Sequence, residues 1–319
     1  MKSDNTDFSQ SDKMSNKIVS DIVEDYQRFL EQLKNTFNIK NIEKQKVYKL
    51  LSKLKSSPNQ NDICLALANI NRFTRILPLL EKYKDDIKQD TIKRMIAGNE
   101  KADFYSEPSD NFFFEFDIAT RLKNRNEDTV IDLKTKHDVI VDNNIIIECK
   151  KIHSKSQSSF RENVLKAVEQ IDDGVEKSVG KVGFIAIDLT NIIDHEIIKS
   201  FFLSVFDEFY SQHMEILSRN DDVLKETINN KNFRNITQSY STNLLEYTFH
   251  RLFNKKNNSI ILSENVLGIF FQAESYVIFE NDEDVLPVAF RMATYYINEK
   301  YKESDDIIRK LFKSLQTGI

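Results

Sequence analysis

The stretch that decides the fold runs from residue 111 to residue 151. It reads Asn111-Phe-Phe-Phe-Glu-Phe-Asp-Ile-Ala-Thr-Arg-Leu122, then a polar break, then Thr129-Val-Ile-Asp-Leu133. It continues Lys136-His-Asp-Val-Ile-Val-Asp-Asn-Asn144 and Ile145-Ile-Ile-Glu-Cys-Lys-Lys151. The first part has the spacing of an amphipathic helix and carries a carboxylate, Glu115. The later runs are short, rich in Val and Ile, and bounded by Asp and Asn, which marks strands. Side chains alternate faces along a strand, so Glu148 and Lys150 share a face, as do Asp138 and Ile140 one strand earlier. Asp142-Asn143-Asn144 favours a turn. With those three residues as the loop, Val141 pairs with Ile145 and Asp138 falls opposite Glu148. Directly opposed residues have Cβ atoms roughly 4.5–5.5 Å apart. Two carboxylates that close repel, and one takes up a proton unless a cation sits between them. A two-residue loop would set Asp138 against Cys149 instead, so the site rests on register.

Outward from this stretch, residues 158–178 read as a helix with Val164, Ala167, Val168 and Ile171 on one side. Lys181 to Leu189 is a nearly unbroken apolar run, the mark of a central strand buried on both faces. Helix, strands, helix, strand is an α/β (α+β) core. Before it, residues 1–15 are polar and mixed in charge, and read as a disordered tail. Ile18, Ile22, Tyr26, Phe29, Leu33 and Phe37 mark a first helix, and Val47, Leu50, Leu51 and Leu54 a second. Lys40, Lys44, Lys46, Lys49, Lys53 and Lys55 lie on the second helix's polar side, as either a solvated face or a phosphate-tracking surface. A third helix spans about 62–83 with a kink or break at Pro78, and a fourth about 91–97, ended by Gly98. Residues 100–110 read as a polar loop.

In the last third, Ile197, Phe201, Val205 and Phe209 mark a helix with Asp194 as N-cap. Residues 219–235 read as a loop or hinge, and Leu244, Leu245, Thr248 and Leu252 mark another helix. Apolar runs at 266–271 and 276–279 flank Gln272-Ala-Glu-Ser275 as a hairpin, and helices over 288–301 and 305–315 close the chain. The division this gives is 1–15 tail, 16–98 helical region, 99–190 core, and 191–319 a mostly helical region with a hairpin, packed on the core. There is no internal repeat.

The chain has 319 residues, 40% hydrophobic, with 23 Phe, no Trp, 6 Gly and 4 Pro, which suits a helix-rich protein with an ample core. Its net charge is −5, so any surface for nucleic acid must be local. Cys64 and Cys149 form no CxxC pair, so neither a disulfide framework nor a cysteine zinc site is implied, which suits a reducing, cytoplasmic setting. No apolar run is long enough for a bilayer, and no signal-peptide core is seen, so a membrane partner is not expected. His195, His213 and His250 are isolated, against a histidine zinc site. GxGxxG, Walker A, GxSxG and kinase patterns are absent.

Asp138 followed by Glu148-Cys149-Lys150 resembles the PD-(D/E)xK nuclease superfamily, the restriction-endonuclease-like fold. Glu115 matches its helix acid, and Gln170 sits where several of these families place a Gln. His137 stands where the family's Pro would be. The resemblance implies an α-β-β-β-α-β core over about 111–189, flanked here by helical regions on both sides. It also implies Mg2+, with Mn2+ substituting, held by Asp138, Glu148 and the carbonyl of Cys149. Glu115 would take a second metal or a metal-bound water, Lys150 would orient water or stabilise charge on the phosphate, and Gln170 would hold substrate or the site itself. Lys151, His153, Lys155 and Lys166 would supply positive charge for nucleic acid. The implied activity is metal-dependent hydrolysis of phosphodiesters, DNA ahead of RNA, endonuclease ahead of exonuclease. A bacterial or phage-related defence or restriction effector fits by analogy, with a homodimer supplying two centres for double-strand cleavage. The competing reading is a catalytically inactive scaffold or regulatory nucleic-acid-binding protein; the intact Glu148-x-Lys150 weighs against it. Within the site, Asp132 competes with Asp138, and Asp117 with Glu115.

Overall fold

In the computed structural model, Asp142 and Asn143 take left-handed φ angles of 52° and 50°, which Asp and Asn tolerate better than other side chains. Asn144 N–H donates to the Val141 carbonyl at 2.9 Å, closing the turn. Val141 then pairs with Ile145, Ile140 with Ile146 and Val139 with Ile147, the register expected from the three-residue loop. The structure describes residues 19–57, 59–97, 110–125, 128–216, 222–253, 260–281 and 285–317. The tail at 1–15, Gly98 and nearly all of the loop at 100–110 lie outside them.

Among the described residues five α-helices come first: α1 (Val19–Asn35), α2 (Lys46–Ser56), α3 (Gln60–Thr74), α4 (Leu77–Lys82) and α5 (Gln89–Ile96). The third expected helix is two, and Pro78 sits in the first turn of α4, where its missing N–H costs nothing. The central unit runs α6 (Asp110–Arg125), β1 (Ile131–Asp132), β2 (Val139–Val141), β3 (Ile145–Lys151), α7 (Gln157–Glu176) and β4 (Val182–Asp188), in the order expected. There follow α8 (His195–Ile216), α9 (Val223–Asn229), α10 (Lys231–Phe253), β5 (Val266–Glu280), β6 (Val285–Ile297) and α11 (Asp305–Thr317). The six strands form one mixed sheet in the order β1-β2-β3-β4-β5-β6, parallel only at β3–β4 and β4–β5.

Each face of the sheet carries its own core. On one, Tyr26, Phe29, Phe73, Phe113, Phe184 and Phe312 are buried together, so the N-terminal helices share a core with the sheet rather than forming a detached module. On the other, Phe160, Ile171, Ile185, Phe206, Phe249 and Phe271 pack under α7, α8 and α10. The described stretch with the apolarity of a membrane span, 62–82, is mostly buried inside the protein.

The last third departs from expectation in three places. Residues 223–229 are a helix, not a loop, because the Asp222 side chain caps Lys225 N–H and Leu224 and Ile228 are buried; α10 then starts at Lys231. Residues 266–280 are one continuous strand, and the hairpin partner is β6, not a helix over 288–301. Gln272, Glu274 and Ser275 are buried, so the polar run that resembled a turn lies in mid-strand. On α8 the fully buried stripe is Ile198, Phe202 and Phe206, one residue on from the expected one. Ile197 is exposed, and Phe201 stacks on Tyr240 of α10 at 3.8 Å between ring centres. The Asp194 cap is present, accepting from Ile197 N–H at 3.2 Å.

Candidate active site

Asp138 lies one residue before β2, and the register carries it to the level of Glu148. Its carboxylate accepts from the Cys149 backbone N–H at 2.7 Å, which ties the loop before β2 to β3. Lys150 Nζ sits 3.3 Å from Glu148 Oε2 and 3.8 Å from Asp138 Oδ2. The three groups of the Asp and Glu-x-Lys pattern therefore meet in one niche. Glu115 comes from α6 on the other side and feels the charges of Asp138, Lys150 and Glu148.

Burial dominates the electrostatics of this niche. The Glu148 side chain is wholly buried. Desolvation, then the repulsion of Asp138, pushes the Glu115 carboxyl up to about 9. Desolvation, then Glu148, raises Asp138 to about 6, with Lys150 pulling it back. Glu148 is raised by burial and lowered in part by Lys150. Asp138 and Glu148 share the Lys150 ammonium, Glu148 wholly buried and the other two side chains partly exposed.

His137 is a member of the site that strand periodicity could not show. Its Nδ1 lies 2.8 Å from Glu148 Oε1, with both side chains buried. Burial lowers the imidazole below its ordinary pKa, and the hydrogen bond at Nδ1 holds one Glu148 oxygen. Gly174 of α7 leaves room for the ring: a Cβ there would meet His137 Nε2 at 2.9 Å and Ile146 Cδ1 at 2.5 Å. The signal in the sequence was the His immediately before Asp138.

Compared with known proteins, the chain matches no family model, no curated protein and no solved structure.

The other site candidates divide. Cys149 faces the core, and burial raises its thiol well above the ordinary value. Gln170 is half-buried on α7, and among the described residues no hydrogen bond joins it to the acids or to Lys150. Lys151 corrects an expectation: its side chain is buried against Asp188, Nζ to Oδ2 3.4 Å, because it lies on the opposite strand face from Lys150. His153 is exposed and bridges Asn111 Oδ1 at 3.1 Å and Asn191 Nδ2 at 2.8 Å, joining the first turn of α6 to the end of β3. Lys155 is exposed. Lys166 is exposed and pairs with Glu162 one turn away at 2.8 Å.

The competing acids are engaged elsewhere. Asp132 caps Lys134 N–H at 2.7 Å. Asp117, on the far side of α6 from Glu115, belongs to a buried ionic network. There Arg121 pairs with it and Arg291 Nη1 lies 3.9 Å away. In the same network Glu274 of β5 meets Arg72 at 3.3 Å and Arg75 at 2.7 Å. Arg121 and Arg291 also donate to the carbonyls of Leu315 and Gln316 at 3.2 Å, capping the end of α11.

Proposed function

We propose that the chain is a divalent-metal-dependent phosphodiesterase acting on nucleic acid, DNA ahead of RNA, with the cytosol as its setting. The observation that carries this is geometric: Lys150 Nζ lies 3.3 Å from Glu148 and 3.8 Å from Asp138, so two carboxylates from adjoining strands meet at one ammonium and leave a net negative charge. A hard divalent cation offsets that charge and takes oxygen ligands, Mg2+ first and Mn2+ in its place. Among the described residues no three His, Cys, Asp or Glu side chains are already gathered as a cage. A Mg2+ site of this kind draws two carboxylates from the protein and completes its shell with carbonyl and water.

Asp138 and Glu148 would hold the ion, with the Cys149 carbonyl beside them. When bound, such an ion polarises a phosphate oxygen and lowers the pKa of its water. His137 keeps Glu148 oriented by occupying one oxygen and leaving the other toward Lys150. Lys150 positions the attacking water or neutralises charge building on the phosphate. Glu115 stores a proton when the niche is metal-free and can release it as positive charge enters.

The test is cleavage of supercoiled plasmid by wild type and Lys150→Ala, with Mg2+ or with EDTA. Wild type with Mg2+ nicks or linearises the plasmid, EDTA abolishes this, and Lys150→Ala lowers the rate roughly 100-fold or more. Equal cleavage by both proteins, or by neither, removes this reading and leaves a binding scaffold.

A further inference from the structure

The chain is acidic, but one stretch before the core is dense in positive charge. Residues 38–57 carry six lysines and one glutamate, +5, in a protein of net charge −5. Lys46, Lys49 and Lys53 recur at helical spacing on one side of α2 and line a narrow groove against α3, with Asp62 and Asn69 on its other wall. A second, open groove of about 520 Å³ is lined by Asn38, Lys40, Gln45 and, from α5, Gln89 and Lys93. Its floor is built: Gln89 Nε2 donates to the Phe37 and Asn38 carbonyls at 2.8 and 3.0 Å. Asn38 and Asn41 hold left-handed φ of 51° and 54°. Lys93 makes an exposed pair with Asp90 at 3.3 Å, which is weak in water.

We propose that this basic surface on α2 and α5 is where the phosphate backbone of a nucleic-acid duplex docks. The inference rests on the nuclease reading. From Lys46 to Lys53 the stripe is roughly 10 Å long, about three phosphate steps of one strand. Charge complementarity favours a polyanion, and under the nuclease reading that polyanion is the nucleic acid the protein cuts.

The experiment uses the full chain carrying Lys150→Ala, so that substrate stays intact. Binding of fluorescent DNA and RNA duplexes of one sequence is followed by anisotropy over a range of salt. The track variant is Lys46→Glu, Lys49→Glu, Lys53→Glu. The control moves the same charge elsewhere: Lys199→Glu, Lys225→Glu, Lys231→Glu, all exposed on α8, α9 and α10. Circular dichroism checks that both fold. The track variant should bind roughly ten-fold or more weakly than the control, with a log–log salt slope shallower by about two to three. With Lys150 intact, it should lose cleavage mainly through KM. The DNA and RNA arms report which duplex is held. If the track variant binds as the control does while the parent still binds and cleaves, the track is wrong and the nuclease reading stands. If the parent neither binds nor cleaves, both fall. Duplex binding intact in the track variant, with loss of an acidic protein partner, assigns the surface to protein and overturns the proposal.

Discussion

Glu148 is a carboxylate at the end of Ile145-Ile-Ile147, with no solvent contact and an imidazole and an ammonium as partners. Both acids near it bind protons more tightly folded than unfolded, since an unfolded carboxyl sits near its ordinary value of about 4. With Asp138 at about 6 and Glu115 at about 9, the folded state holds more protons over the window between. Stability of the metal-free protein therefore falls as pH rises from about 4 to about 9. A thermal melt should show Tm declining between about pH 5 and pH 8, on the order of a few degrees. Glu115→Gln should flatten the decline, and Mg2+ should raise Tm more at the higher pH. A Tm indifferent to both pH and Mg2+ would count against the cluster. At this scale Glu148 and Lys150 were legible because alternation along a strand is a local rule. His137 was not, because its partner is chosen by how α7 packs at Gly174.

Among the elements, the Asp142–Asn143 turn carries the register, and with it the site. Asp142 also binds β1: its N–H donates to the Val130 carbonyl at 2.9 Å, and its carboxylate accepts from Val130 N–H at 2.7 Å. A β-branched residue at positive φ is strained, so Asn143→Val should cost about 1–2 kcal/mol in urea denaturation. Asn143→Gly should be neutral or slightly stabilising. Equal stability of the two variants would show that the turn does not set the register. This turn was readable because its chemistry is contained in three residues. The β5–β6 ribbon was not. Its mid-strand Glu274 is matched by Arg72 of α3 and Arg75 just beyond it, some 200 positions earlier, and no window of sequence around residue 274 contains them.

Across the whole molecule, the Arg72, Arg75, Arg121 and Arg291 network joins α3, α6, β5, β6 and the end of α11. Burial alone would raise Glu274, yet Arg75, Arg72 and Arg291 hold it well below the ordinary carboxylate range. Burial and the neighbouring Arg121 pull Arg291 down to about 9. Removing one partner leaves buried guanidinium uncompensated, so Glu274→Gln should destabilise by about 3–5 kcal/mol. The exposed pair Lys93–Asp90 is the contrast: Asp90→Asn should stay within about 0.5 kcal/mol. Chemical denaturation of the two variants checks both, and a small effect at Glu274 would mean the network carries little of the fold.

From residue order alone came the sequence helix, strands, helix, strand, the hairpin register and the meeting of Asp138 with Glu148 and Lys150. Each follows from periods of 2 and 3.6 and from turn chemistry, all of which act within a few residues. Tertiary structure alone decided that β5 and β6 extend the sheet, that the N-terminal helices share its core, that Lys151 is buried and that His137 orients Glu148. Those outcomes depend on which distant side chains arrive to satisfy a buried polar group, and that is settled by packing in three dimensions.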